Sequence, residues 1–360
     1  MTKIVVLSGG VGGARFTRGL LTLSDRNPPR CGAVEVTVVA NTGDDMWLNG
    51  LRICPDLDTI MYTLGGGIND EQGWGRSAET RRTSEEIRAY GRGWDWFTLG
   101  DLDLATHIVR TELLREGASL SQVTSYLCQR WNPGVELIPM SDQPAETHVL
   151  LAEQADEHAA GDLIHFEEWW VRYRAAVAVS SFVQVGIESA KPAPGVIEAI
   201  LDADAIVIPP SNPVVSIGPI LAVPGIREAL QATSAKVVGV SPIVAGSAFR
   251  GMAAQCLAAI GTEASASGVA ALLGARSRGG ILDGFLVDPA DAADLTKLSD
   301  AGIPATAVPL IMADTAATAD IAASALAFAG VQISATPPTT FNSPSHGAAA
   351  NGALADGVKP

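Results

Sequence analysis

Four glycines in five residues, Gly9, Gly10, Gly12 and Gly13, follow directly on an apolar, β-branched run at residues 3–7. They lead into a helically spaced set, Phe16, Leu20 and Leu23. So dense a glycine cluster weakens a helix start and needs a reason. Lacking Cβ atoms, its backbone amides can come close to a phosphate. The order strand, glycine loop, helix therefore points to folds in which a strand end presents a loop to an anionic ligand. Neither standard form of that loop fits. Counted from Gly10, the dinucleotide fingerprint wants Gly or Ala where Arg15 stands, and the Gly-Lys-Ser/Thr of phosphate-loop NTPases is absent.

The strand pattern recurs. Val34–Ala40 runs into Asn41-Thr42-Gly43-Asp44-Asp45, Ala205–Ile208 into Pro209-Pro210-Ser211-Asn212-Pro213, and Lys236–Val240 into Ser241-Pro242. Near-continuous apolar runs of this kind are parallel strands buried on both faces. With helices expected over 194–201 and 225–232, they predict an α/β fold. Its core is a doubly wound, Rossmann-like, mostly parallel sheet whose ligands bind beyond the carboxyl ends of the strands. All seven Trp and all four Tyr lie between Trp47 and Tyr173, which suggests a mixed or helical insertion across roughly 65–175. A single α/β catalytic domain is expected over 1–333. The Pro-, Ser-, Thr-, Asn-, Gly- and Ala-rich stretch 334–360 is expected to be a disordered tail.

Charge narrows the function. With 24 Lys and Arg against 39 Asp and Glu, the net charge is −15, which argues against nucleic acid as a partner. An anionic ligand must be met by backbone amides, a few arginines or a metal ion. No apolar run is long enough to span a membrane, and the start of the chain is too short in apolar residues for a signal peptide, so a cytoplasmic protein is expected. The four scattered cysteines offer no Cys-x-x-Cys pair. Asp44, Asp45, Asp56 and Asp58 place four carboxylates within fifteen residues. Beside a phosphate they would repel it unless a cation intervened, and Mg²⁺ suits carboxylate and phosphate oxygens. The simpler alternative is that Asp44 or Asp56 caps a helix. His107 and Arg110, at i and i+3, could form a cationic pair for a phosphate; the alternative is that Asp103 caps the helix that holds them. Ser211, Asn212 and Ser216 put hydroxyl and amide groups at a strand end, where ribose, base or phosphate could meet them.

In order along the chain, Gly9-Gly10-Val11-Gly12-Gly13-Ala14, Asn41-Thr42-Gly43-Asp44-Asp45, Pro55-Asp56-Leu57-Asp58-Thr59, Leu99-Gly100-Asp101-Leu102-Asp103 with Thr106-His107, and Pro210-Ser211-Asn212-Pro213 with Ser216-Ile217 resemble the 2-phospho-L-lactate transferase family of coenzyme F420 biosynthesis. The resemblance covers about residues 3–330. It implies transfer of a phosphoryl-linked three-carbon acid from a guanosine diphosphate ester to the ribityl hydroxyl of the deazaflavin Fo, with release of GMP. The acid is enolpyruvate in the bacterial branch and L-lactate in archaeal-type members; the Ala-rich composition favours enolpyruvate. Carried over block by block, Gly10, Gly12, Gly13, Ser211, Asn212 and Ser216 would face the guanosine nucleotide. Asp44, Asp45 and Asp58 would hold Mg²⁺, with Asp45 or Asp58 taking the hydroxyl proton. Some members carry a Lys just before the Gly-Asp pair; this chain departs from them with Thr98. Trp47, Trp74 and Trp96 are candidates for an aromatic slot around the deazaflavin ring. The resemblance also implies a homodimer. Two rival readings are an NAD(P)-dependent oxidoreductase, disfavoured by Arg15, and a guanine-nucleotide-binding protein without turnover.

Overall fold

A computed structural model describes residues 1–25, 34–248 and 252–331, so the tail expected over 334–360 lies outside the described residues. Seven strands, β1 (Thr2–Ser8), β2 (Val34–Ala40), β3 (Glu136–Pro139), β4 (Ala205–Ile208), β5 (Lys236–Val240), β6 (Gly284–Val287) and β7 (Ala305–Ala307), form one sheet. Every pairing in it is parallel, and the order is β7-β6-β5-β4-β1-β2-β3. The chain moves outward from β1 to β3, then returns to β1's other side with β4, pairing Ile4 with Ala205. The order thus reverses between β1 and β4. In doubly wound folds such a switch point, at the carboxyl ends of the two strands, is where a ligand crevice is expected.

Alternation along β1 shows why the sheet is buried on both faces. Ile4 and Val6 join one core with Phe16 and Leu20, while Val5 and Leu7 join the other with Ile200, Ile226 and Leu230. Helix α1 (Gly10–Asp25) covers the first face, and a C-terminal helix, Thr315–Ala329, lies against it. A Cβ on Gly19 would meet Thr318 at 2.5 Å, so glycine permits that close approach. Asp314 starts the C-terminal helix by accepting from the Ala317 amide at 2.7 Å, and Gly330 ends it at φ +88°. The helices expected over 194–201 and 225–232 are present as Val196–Leu201 and Ile226–Ala232.

Two expectations need correction. The glycine cluster is not a loop preceding a helix: Gly10–Gly13 form the first turn of α1 itself. The stretch 65–175 is not one block either, because β3 lies within it and forms the edge of the central sheet. Before β3 come an antiparallel hairpin (Met46–Leu48 with Leu51–Ile53), α2 (Pro55–Leu64), a short helix (Arg82–Ala89), α3 (Asp101–Arg115) and α4 (Leu120–Trp131). After it comes a three-stranded antiparallel sheet, Leu163–His165, Glu146–Leu151 and Val179–Val185. Phe166 and Trp169 bury that sheet's apolar side against Val215 and Cys256, beside the segment that follows β4. No single helix among the described residues is long and apolar enough to cross a membrane.

Candidate active site

The crevice is built from the ends of β1, β2 and β4. Gly9, just before α1, and Gly12 and Gly13 within it are needed because these ends interlock. A Cβ on Gly9 would run into the Ser216 side chain, one on Gly12 into the Pro210 carbonyl oxygen, and one on Gly13 into the Ser8 hydroxyl. Asn41 fastens three segments together. Its amide nitrogen donates to Asp56 Oδ2 at 2.9 Å and to the Val215 carbonyl at 3.2 Å, while its oxygen accepts from the Gly43 amide at 2.9 Å. Asn212 is occupied with the loop after β4, accepting from the Val214 and Val215 amides at 3.0 and 3.4 Å and donating to Cys256 Sγ at 3.3 Å. Ser211 beside it is different: its hydroxyl is buried and has no partner among the described residues.

The four neighbouring aspartates divide into separate environments. Neither Asp44 nor Asp56 acts as the expected cap; Asp44 lies in the turn after β2, and no side chain caps α2. Asp56 projects from the first turn of α2 toward Gly10 and Asn41, and burial raises it to about 6 in spite of those donors. Asp44 is 5% exposed and held well above the ordinary carboxylate range, first by burial and then by the charges of Asp56, Glu167 and Asp45. Glu167, which the sequence motifs do not include, is raised by burial and by Asp56 to about 8. Asp45 is fully buried and raised by burial to about 7, against the pull of Arg52, whose guanidinium lies 3.5 Å from Oδ2. Arg52 is shared with Glu146 at 2.6 Å.

One oxygen each of Asp44 and Asp45 is buried without a hydrogen-bond partner among the described residues. Hard oxygen donors left unpaired beside further carboxylates fit a divalent cation such as Mg²⁺.

Asp58 sits elsewhere. Both its oxygens are taken by the Arg110 guanidinium, Oδ2 at 3.0 Å from Nη1. His107 lies between two carboxylates, Nδ1 3.6 Å from Asp58 and Nε2 3.2 Å from Asp103, which also accepts from the Tyr62 hydroxyl at 2.6 Å. Asp58, Asp103 and His107 are close enough to share an ion, but the guanidinium already occupies Asp58. The structure thus pairs Asp58 with Arg110 and His107, while the charges of Asp58 and Arg110 also reach Asp45. His107 and Arg110 are buried and contact the carboxylates of Asp58 and Asp103, and His107 also lines the neighbouring cavity.

A cavity beside this network is lined by Asp58, Thr59, Tyr62, Trp74, Thr98 and His107, among others. Trp74 is half-exposed on its wall. The other two ring candidates are not part of the lining: Trp47 lies under the Arg52 guanidinium at 5.9 Å, and Trp96 stacks on Trp94 at 4.7 Å.

The raised carboxylates have a measurable consequence. Folded, Asp56, Asp45 and Glu167 keep protons up to about pH 6, 7 and 8, whereas unfolded carboxylates release theirs near pH 4. Between those limits the folded state binds more protons, so stability falls as pH rises. In EDTA, Tm is expected to drop by several degrees between pH 5.5 and 8.5, at about 2–4 °C per kcal/mol. Mg²⁺ should restore most of the loss at pH 8.5. A Tm that rises with pH in EDTA would count against the arrangement.

A family model described as 2-phospho-L-lactate transferase CofD matches residues 4–312. A phosphoenolpyruvate transferase of Kitasatospora aureofaciens is 55% identical over 327 residues, covering 91% of this chain and 98% of its own. A phosphoenolpyruvate transferase of Mycolicibacterium smegmatis is 53% identical over 333 residues, covering 92% and 100%. Among solved structures, a member of the UPF0052 family from Bacillus halodurans superposes with a TM-score of 0.61 at 18% identity, covering 91% of this chain and all of that one, a likeness of fold alone.

Proposed function

Since the chain belongs to the 2-phospho-L-lactate transferase CofD family, we propose that it transfers a phosphoenolpyruvyl group from a guanosine-diphosphate-linked donor to the ribityl hydroxyl of Fo, giving dehydro-F420-0 and GMP. The observation that carries this reading is the set of buried oxygens left without a partner among the described residues, on Asp44 and Asp45 after β2 and on Ser211 after β4. The relatives named phosphoenolpyruvate transferases favour enolpyruvate over lactate as the acid.

In the proposed reaction the ribityl oxygen bonds to the phosphorus that carries the acid, and the bridging P–O bond to GMP breaks. Such transfers depend chiefly on positioning and charge neutralisation. The first turn of α1 and the Ser211 hydroxyl would receive the nucleotide's phosphates. Asp44 and Asp45 would hold Mg²⁺ through their unpaired oxygens, and the ion when bound would offset the negative charge of the diphosphate. Asp58 lines the cavity where the acceptor would lie, so its carboxylate would receive the hydroxyl proton, while Arg110 and His107 hold it in place. Trp74 would supply a wall for the deazaflavin ring, with Thr98 nearby. A nicotinamide dinucleotide suits the site less well. Asn41, at the end of β2, is committed to Asp56 and Val215, and Arg15 breaks the glycine fingerprint. The reading also carries a cytoplasmic setting and a homodimer.

Mass spectrometry of products formed from Fo, Mg²⁺ and the enolpyruvyl or lactyl guanosine diphosphate donor tests the reaction. Dehydro-F420-0 with stoichiometric GMP is expected; binding of the donor without product would leave a nucleotide-binding protein. Trp74→Ala is expected to raise KM for Fo about tenfold, from the loss of ring stacking, with KM for the donor within about twofold. The reverse pattern in steady-state kinetics would place the ring elsewhere.

A further inference from the structure

Two buried arginine–aspartate pairs meet through the backbone of Arg52, and they are made differently. Arg110 closes on Asp58, so that its terminal nitrogens meet both carboxylate oxygens. Arg52 does not close on Asp45. Its Nη2 reaches only Oδ2, at 3.5 Å, whereas a charge-assisted bond of this kind runs to about 2.7–2.9 Å. Its Nη1 goes instead to Glu146 Oε1, at 2.6 Å. Oδ1 of Asp45 is left buried with no partner among the described residues.

Each member of this set is fixed from a different element. Arg52 faces Trp47 across the hairpin, with its guanidinium over the indole ring. Its amide donates to the Thr111 hydroxyl at 2.8 Å and its carbonyl accepts from Arg110 at 3.5 Å, which ties the hairpin to α3. Glu146 opens the central strand of the antiparallel sheet, paired with Val185. The next residue, Thr147, donates its amide to the Gly43 carbonyl at 2.6 Å, in the turn that carries Asp44 and Asp45. Backbone contacts therefore set where Glu146 stands relative to that turn.

The Arg52 side chain is 7% exposed, so its charge must be met by a carboxylate. Glu146 and Asp45 are the two it touches. Without Glu146, the planar fork would turn both nitrogens to Asp45, as Arg110 does to Asp58, and a cation would have to displace it. We propose that Glu146 is a positioning residue for the cation site: by holding the Arg52 guanidinium, it keeps Asp45 from being closed into an ion pair and leaves that carboxylate to a divalent cation. This rests on the cation site of the proposed function. It gives the antiparallel sheet a part in setting the state of that site, through Arg52 rather than by direct ligation.

The test uses Mn²⁺ alone as the probe, with the full chain and without nucleotide. Binding is followed by electron paramagnetic resonance and by calorimetry at pH 8. Glu146→Gln is expected to raise the Mn²⁺ Kd about tenfold, the usual size for loss of a group that orients a metal ligand. Glu146→Asp keeps the charge but falls short of Arg52, and should raise Kd about threefold. It is the reporter if the glutamine variant does not fold. In an Arg52→Gln background, the same Glu146→Gln change should alter Kd by less than about twofold, because no guanidinium remains to be held. A Glu146 that acted only by its own negative charge would leave Kd unchanged in Glu146→Asp and would give the same loss in both backgrounds. Either result would overturn the proposal, as would equal affinity in the unaltered protein and in Glu146→Gln. Absence of Mn²⁺ binding in the unaltered protein would remove the cation site and this proposal with it. Product formation by the unaltered protein is scored separately, so a failed transfer reaction and a failed assignment of Glu146 can be told apart.

Discussion

Asp44→Asn is expected to lower kcat by about a hundredfold to a thousandfold or more while leaving the apo protein at least as stable as before. The size of the loss follows from what such groups do in other sites: removing one preorganised electrostatic contact to developing charge typically removes 10²–10³ of rate, about 2.7–4 kcal/mol. Asparagine has nearly the same shape but carries no charge with which to hold a cation. The stability side follows from the surroundings of Asp44, a buried side chain that Asp56, Glu167 and Asp45 all repel. Removing one of those charges relieves the repulsion, so Tm in EDTA at pH 8 should stay level or rise. Steady-state kinetics with saturating donor and Fo, together with thermal melts, check both halves. A variant with near-normal kcat would remove Asp44 from the chemistry; one that loses activity and Tm together would make it a structural residue.

Arg110→Met is expected to have the opposite signature, a large loss of stability. Arg110 is 1% exposed and takes both oxygens of Asp58. Breaking a buried pair by removing one partner costs about 3–5 kcal/mol, since the other charge is left uncompensated. Adding Asp58→Leu to Arg110→Met should therefore recover a large share of the loss, as apolar replacement of both members of a buried pair often does. Urea denaturation of the two single variants and the double variant closes the cycle. If the double variant is as unstable as Arg110→Met alone, the pair does not act as a unit. Asp58→Ala would suffer in the same way, so lost activity in that variant alone could not be assigned to proton transfer.

The division between Asp56 and Asp58 shows where reading the sequence succeeds and where it stops. Proximity in the chain suggested one cluster of four carboxylates. Both residues lie in α2, however, and two residues along a helix turn a side chain by about 200°. One therefore faces the glycines of α1 and the other faces α3. The parallel strands were legible because burial on both faces leaves near-continuous apolar runs, as in Ala205–Ile208. β3 was missed because an edge strand of four residues, Glu136–Pro139, with an exposed first position carries too little of that signal. Glu167 was missed for a different reason. Nothing near it in the chain indicates that its sheet folds back onto the segment after β4. The one local hint is an acidic pair, Glu167 and Glu168, set inside the aromatic run Phe166, Trp169 and Trp170. The lining of the cavity by Trp74 but not by Trp47 or Trp96 likewise depends on loop paths that composition does not encode.

The pairing of Ile4 with Ala205 also bears on how the molecule is made. The residues of β1 cannot complete the crevice until some two hundred more have been synthesised after them, as the hydrogen bond from the Lys3 amide to Asp204 also shows. Contacts this distant form late, because the intervening chain must first give up its freedom. A nascent chain arrested before β4 would present α1 and the turn after β2 without the wall that meets them. Such a fragment should need shielding by chaperones and should gain affinity for nucleotide only once translation has passed Ser211.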